Sequence, residues 1–182
     1  MKNIALHILD LVENSVRASA KKVQVSISEE IEGNRYVLTI EDDGNGMVDE
    51  MVTKSTNPFY TSRSTRKVGM GLPLIQLNAE RTGGSFSLRS KPGKGTTLEA
   101  CFVLSHTDRL PLGEIDDVLV LLATGYPLAR LIYTHKTDSG IYCFDTKEIM
   151  EITGNLQESS LEVRKFLREM IVENLKKINA EA

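Results

Sequence analysis

The feature that most restricts the fold is a change of hydrophobic period just after residue 20. From Asn3 to Ala20, Ile4, Ile8, Leu11, Val12 and Val16 recur at intervals of three and four, the spacing of a helix that buries one face. Val23, Val25 and Ile27 then alternate with polar residues. After the turn Glu32-Gly33-Asn34, the run from Tyr36 to Ile40 alternates likewise, as in an antiparallel hairpin. A one-faced helix followed by one-faced strands requires helices layered on a sheet. Leu72 to Arg81 reads as another helix, with Pro73 in its first turn and Gly83-Gly84 as its stop. Phe86 to Ser90 and Thr97 to Leu104 read as strands joined by the turn Lys91-Pro92-Gly93-Lys94-Gly95.

Between these elements, Glu41 to Met47 is acidic and glycine-rich. Thr53 to Lys67 is dense in Ser, Thr, Arg and Lys with little periodicity, so a mobile loop is expected there. Beyond Ser105 the pattern predicts a helix from Glu114 to Thr124, a hairpin from Arg130 to Phe144 turning at Asp138-Ser139-Gly140, and a last helix from Leu161 to Ile178. Leu161, Val163, Phe166, Leu167, Met170, Ile171 and Leu175 give that last helix an apolar face, for core packing or for a partner. These boundaries divide the chain into 1–105 and 106–182, with the second part packing directly on the first.

Composition narrows the function classes. The chain has 182 residues, 26% of them charged, and a net charge of -3, which offers no general attraction to nucleic acid or anionic lipid. No apolar stretch approaches the roughly 20 residues needed to span a bilayer. Asp10 and Glu13 interrupt the apolar pattern of the first segment, unlike a signal peptide, so cytoplasmic residence is expected. Cys101 and Cys143 lie in strand-like runs without metal or redox spacing and are both expected to be buried thiols.

The chemistry concentrates in three places. Asp42-Asp43-Gly44-Asn45-Gly46-Met47 has the composition of a polar turn. It also places a carboxylate, a hydrogen-bond acceptor, at a strand end beside glycines that admit a flat ligand. Gly69-Met70-Gly71 opens a helix directly after the basic loop, where helix N-terminal amides suit a phosphate chain. Asn14 stands on the first helix, and Asp10 four residues earlier shares its face.

In that order, Asp10 to Ala18 resembles the asparagine box of the GHKL superfamily, the gyrase, heat-shock chaperone, histidine-kinase and MutL ATPases. Asp42 to Met47 resembles its DxGxG box, Asn57-Pro58-Phe59 its phenylalanine box, Gly69-Met70-Gly71-Leu72 its second glycine box, and Gly95-Thr96 its last. Gly69 to Phe102 is most similar to the catalytic domain of sensor histidine kinases. The resemblance implies an α+β fold, a two-layer α/β sandwich of the Bergerat (histidine-kinase-like ATPase) type, here with a C-terminal α/β extension.

It also implies ATP and Mg²⁺. Asp42 would accept the adenine amine, Thr96 would assist through water, and Gly44, Gly46 and Met47 would line the base. Asn14 would be the protein ligand to Mg²⁺, with Ala18, Phe59, Lys67, Gly69, Met70, Gly71 and Leu72 completing the nucleotide site. The segment from Phe59 to Val68 corresponds to the ATP lid, where Arg63, Arg66 or Lys67 would face phosphate or solvent.

Asp10 occupies the place where related hydrolases and hydroxyl kinases carry a glutamate general base. Serine or water must lose a proton as it attacks, whereas neutral imidazole already presents a lone pair. Asp10 is one methylene shorter than Glu, so it is either that base or a solvated helix residue. His7, His106 and His135 are expected to be packing or surface histidines rather than phospho-acceptors, and no segment ahead of the first helix is expected to present one. The expected function is a cytoplasmic regulatory protein kinase acting in trans, as an anti-sigma-like serine kinase or an orphan sensor-kinase domain. The alternatives are an ATP-gated interaction module and a slow ATPase. Expected partners are ATP and a protein partner or substrate, with a homodimer as a further option, and neither nucleic acid nor membrane.

Overall fold

The computed structural model describes residues 2–56, 71–126 and 130–181. Helix α1 (Ile4–Arg17) leads into the hairpin β1 (Lys22–Glu30) and β2 (Arg35–Asp42), then the short helix α2 (Asp49–Ser55). Helix α3 (Gly71–Arg81) precedes a second hairpin, β3 (Ser85–Lys91) and β4 (Gly95–Val103). Helix α4 (Ile115–Gly125), strands β5 (Arg130–Thr137) and β6 (Gly140–Asp145), and helices α5 (Thr146–Thr153) and α6 (Leu161–Lys177) follow.

The strands form one six-stranded sheet in the order β3-β4-β2-β1-β5-β6. Neighbours are antiparallel except β1 and β5, which run parallel in the register Val25 to Tyr133. That parallel pair needs a crossover, and α4 lies on it. The sheet is therefore mixed and covered by helices, as the two-layer expectation requires. Strands β5 and β6, beyond residue 105, extend the same sheet rather than starting a new one.

Alternation explains the core. Val23, Val25 and Ile27 of β1, Tyr36, Leu38 and Ile40 of β2, and Leu98, Ala100 and Phe102 of β4 are all buried. They meet Ile4, Ile8, Leu11 and Val12 of α1 and Ile75 and Ala79 of α3 in one continuous cluster, which also takes in Leu119 and Leu122 of α4 and Leu167, Ile171 and Leu175 of α6. The apolar stripe of the last helix therefore serves the core. Phe166 and Leu161 remain exposed on it.

Helix α1 is tied down at its start. The Asn3 side chain accepts from the Leu6 amide at 2.9 Å, a cap for one of the amides a helix start leaves without an internal partner. The Ile4 and Ala5 amides donate to the carbonyls of Pro111 and Leu112, each at 2.9 Å. The connection between β4 and α4 thus closes the N-terminus of α1.

Three expectations need correction. Cys101 is buried but Cys143 is exposed, because Tyr142 and Phe144 take the inward positions of β6. Thr53 to Ser55, expected to open a loop, belong to α2, and the rest of that expected loop, from residue 57 on, lies outside the described residues. Helix α5 was not anticipated; Asp145 caps it by accepting from the Lys147 amide at 3.0 Å while pairing with Arg130. That guanidinium is the main reason the Asp145 carboxyl is held below its ordinary range, with burial opposing it.

His7 is fully buried. Its Nε2 meets the Asn78 amide nitrogen at 3.3 Å, joining α1 to α3. Burial lowers its pKa from 6.5 to about 4, against the pull of the nearby Asp10 carboxylate. The unfolded chain therefore binds a proton that the folded chain refuses between those values. His7 contributes stability that is complete above pH 6.5 and is lost as pH falls toward 4. Urea melts between pH 7 and 4 should show His7→Gln losing less stability over this window than the wild type, by on the order of 3 kcal/mol. Parallel curves would mean that His7 is protonated in the fold.

Candidate functional site

The base of the site is the end of β2. Tyr36, Leu38 and Ile40 point to the helix layer, so Asp42, two residues further, points there as well. It meets the buried Ser15 of α1, whose hydroxyl donates to Asp42 Oδ2 at 2.7 Å. The Gly44 amide donates to Oδ1 at 2.9 Å. A carboxylate has about four acceptor positions, so two bonds leave it able to take a donor from a ligand. Asp43 points the other way and accepts from the Lys21 and Lys22 amides at 2.8 and 2.9 Å. The Lys22 amide bond is the largest reason its carboxyl sits below the ordinary range. One aspartate pins the turn, and its neighbour faces the site.

The loop after Asp42 is pressed between α1 and the β3–β4 turn. Gly44 is buried, and a Cβ there would stand 2.8 Å from the Ala18 carbonyl and 3.0 Å from Asp42 Oδ1. The Asn45 amide donates to the same Ala18 carbonyl at 2.7 Å, so Ala18, the C-cap of α1, anchors the loop. Gly46 adopts φ +65, and a Cβ would overlap the Lys91 carbonyl; both facts require glycine. The Met47 amide donates to Ser90 Oγ at 2.8 Å. Ser90 Oγ lies 2.9 Å from Thr96 Oγ1, and Thr96 pairs in register with Asp42 across β4 and β2.

The wall is the face of α1 turned to α3. Asp10 and Asn14, one turn apart, are both half-buried. Gly71, the first residue of α3, sits so close that a Cβ would overlap the Asp10 carboxylate, with Asn14 Nδ2 3.9 Å away. Leu72 packs its side chain on the core. Asp10, Asn14, the start of α3 and the Asp42 corner therefore bound one region. Phe59, Lys67, Gly69 and Met70, with Arg63 and Arg66, lie outside the described residues.

Three polar contacts at this site escaped the sequence reading. Ser15 is a hydroxyl on the buried stripe of α1, where its i−4 neighbour is Leu11; a polar residue inside an apolar stripe was the available signal. Ser90 is visible only once the β3–β4 register is known. Arg17 donates from Nη1 to Asn14 Oδ1 at 3.0 Å, a pair at i,i+3 that helix spacing permits.

The first part of the chain is similar to known proteins. A family model described as histidine kinase-, DNA gyrase B- and HSP90-like ATPase matches residues 2–106. Sporulation kinase C of Bacillus subtilis is 27% identical over 96 residues, covering 53% of this chain and 22% of the kinase. The cell-division control histidine kinase PdhS of Brucella ovis is 31% identical over 117 residues, covering 56% of this chain and 11% of the relative. The chain thus spans at most about a fifth of the length of these curated relatives. The crystal structure of the N-terminal domain of a DNA repair protein superposes with a TM-score of 0.53 over 79% of this chain and 52% of that one, at 14% identity, and shares the fold. Matched over more than half its length, this chain belongs to the histidine kinase-, DNA gyrase B- and HSP90-like ATPase family and carries a histidine-kinase-like ATP-binding domain.

Proposed function

We propose that the chain is a regulatory protein kinase that uses ATP to phosphorylate a hydroxyl of a separate protein. Residues 1–105 form its ATP-binding unit and 106–182 an extension of it. The observation that carries this reading is the position of Asp10. Its carboxylate stands against the first residue of α3, at the helix N-terminus where a phosphate chain is favoured, and one turn from Asn14 on α1.

In this reading Asp42 accepts the exocyclic amine of adenine and Ser15 holds the carboxylate in place. Thr96 supports the same edge of the base, beside Gly44, Gly46 and Met47. Ala18 and Leu72 complete the described lining, and Phe59, Lys67, Gly69 and Met70 belong to the nucleotide site on the strength of the family resemblance. Asn14 offers an amide oxygen, a donor type that suits Mg²⁺. Among the described residues no group of three or more His, Cys, Asp or Glu could hold a metal. A cation at Asn14 would complete its shell with phosphate and water oxygens, as Mg²⁺ commonly does. When bound, Mg²⁺ supplies charge compensation to the phosphates.

The incoming hydroxyl oxygen bonds to the γ-phosphorus as the bond to the β,γ-bridging oxygen breaks. Asp10 takes the hydroxyl proton, and ADP departs with the bond's electron pair. Residence in the cytoplasm fits the absence of any helix long and apolar enough to cross a membrane among the described residues.

Asp42→Asn replaces a pure acceptor with an amide that can turn a donor toward the adenine amine. Calorimetry should show ATP affinity reduced by about 2 kcal/mol or more; an unchanged value would remove Asp42 from adenine recognition. Asp10→Asn should spare ATP binding and lower phosphate transfer to protein by roughly 10² or more, read as label from γ-labelled ATP in the presence of cell lysate. Wild-type transfer by this variant would exclude Asp10 as the base. Binding without any transfer by the wild type would favour an ATP-gated interaction module.

A further inference from the structure

One hydroxyl beside the Asp42 corner serves several neighbours at once. Ser90, on β3, accepts from the Met47 amide at 2.8 Å, and its Oγ lies 2.9 Å from the Gly95 carbonyl oxygen and 2.9 Å from Thr96 Oγ1. A serine hydroxyl has a single hydrogen and two lone pairs, so these contacts use all of it. The Gly95 carbonyl can only accept and therefore takes the Ser90 hydrogen. The Met47 amide can only donate and occupies one lone pair. Thr96 must then give its own hydrogen to the other. If Ser90 donated to Thr96 instead, the Ser90 and Gly95 oxygens would face each other at 2.9 Å with no hydrogen between them.

Thr96 stands directly across from Asp42 on β2 and from Ser90 on β3. The three side chains share one face of the sheet, where directly opposed residues have Cβ atoms about 4.5–5.5 Å apart. Asp42 already accepts from the Ser15 hydroxyl and the Gly44 amide, and a carboxylate has only lone pairs to offer a ligand. With its hydrogen committed to Ser90, Thr96 has only lone pairs to offer as well.

We infer that Ser90 is a positioning residue that sets purine specificity: it takes the Thr96 hydrogen, so that the corner beside Asp42 accepts hydrogen bonds and cannot donate them. The inference rests on Asp42 as the adenine acceptor. Adenine brings to such a corner an amine with two hydrogens. Hypoxanthine and guanine bring a carbonyl oxygen, which meets acceptors alone and is left unpaired. A bridging water passes the preference on, because a water that gives one hydrogen to Asp42 and the other to Thr96 has only lone pairs left for the ligand. A Thr96 hydroxyl released from Ser90 could turn and donate, and a carbonyl purine would then find a partner.

Ser90 also ties the Met47 backbone to the β3–β4 turn, so its loss would loosen the loop. A loosened loop weakens every nucleotide alike, whereas the hydrogen assignment alters the ratio between an amine purine and a carbonyl purine. That ratio separates the two roles. It is read by calorimetry of ATP and of inosine triphosphate, which carries a carbonyl oxygen in place of the amine, on the full chain in Mg²⁺. The wild type should prefer ATP; equal affinities would remove the adenine reading and the inference with it. Given that preference, Ser90→Ala should reduce it by roughly threefold to tenfold, the worth of one hydrogen bond. Ser90→Thr, which keeps a hydroxyl, should retain most of it. In a Thr96→Val background there is no hydroxyl to turn, so adding Ser90→Ala should leave the remaining preference unchanged. A preference untouched by Ser90→Ala, or reduced equally with and without the Thr96 hydroxyl, would overturn the role of Ser90 while leaving Asp42 as the adenine acceptor.

Discussion

Helix α1 divides its surface among three neighbours, and the site depends on that division. Ile4, Ile8, Leu11 and Val12 face the sheet and are nearly inaccessible, with Ser15 continuing the stripe onto Asp42. Burial of these side chains, each favourable by about 1.5–3 kcal/mol when complete, fixes the rotation of the helix. Once that rotation is set, the 3.6-residue period places His7, Asp10 and Asn14 together against α3. Glu13 falls on the side reached by Tyr126. A helix turned by one residue would move the amide and both carboxylates out of register together.

The part of the chain beyond residue 105 helps to hold α1 in place. Pro111 and Leu112 accept its first amides, and β5 continues the sheet beside β1. The same region supplies a second buried polar cluster. His135 lies between the Tyr133 hydroxyl and Glu29, 2.7 Å from each. Glu29 also accepts from the Glu181 amide at 3.0 Å, while Glu181 pairs with Arg109, whose guanidinium stacks 4.9 Å over Tyr36. Buried polar groups are costly unless partnered, and this cluster brings its partners from β1, β5, the link before α4 and the chain's last described residues. The extension and the nucleotide-binding part share one sheet and one core.

Much of this was legible because strong periodicity leaves few choices. The stripe of α1 and the alternation of β1, β2 and β4 gave their elements and inward faces. Counting by two from Tyr36 identifies Asp42, rather than Asp43, as the site-facing carboxylate. The failures occur where the pattern is weak. Ile141 to Phe144 is apolar at every position, so periodicity could not tell which face Cys143 takes. Helix α2 buries no residue and has no apolar period to detect. For α5 a signal existed, Asp145 followed three residues later by Glu148, an acidic cap with an acid at its third position. The Glu13–Tyr126 link joins residues 113 apart in sequence, a tertiary consequence that no local pattern encodes.

In the proposed function the carboxylate of Asp42 selects adenine through its exocyclic amine. Competitive calorimetry of ATP against GTP, in Mg²⁺, tests it most directly, because GTP places a carbonyl oxygen where adenine carries its amine. An acceptor facing an acceptor leaves a buried polar group unpaired, so ATP should bind tighter by roughly tenfold or more. Equal affinity for the two nucleotides would contradict the account.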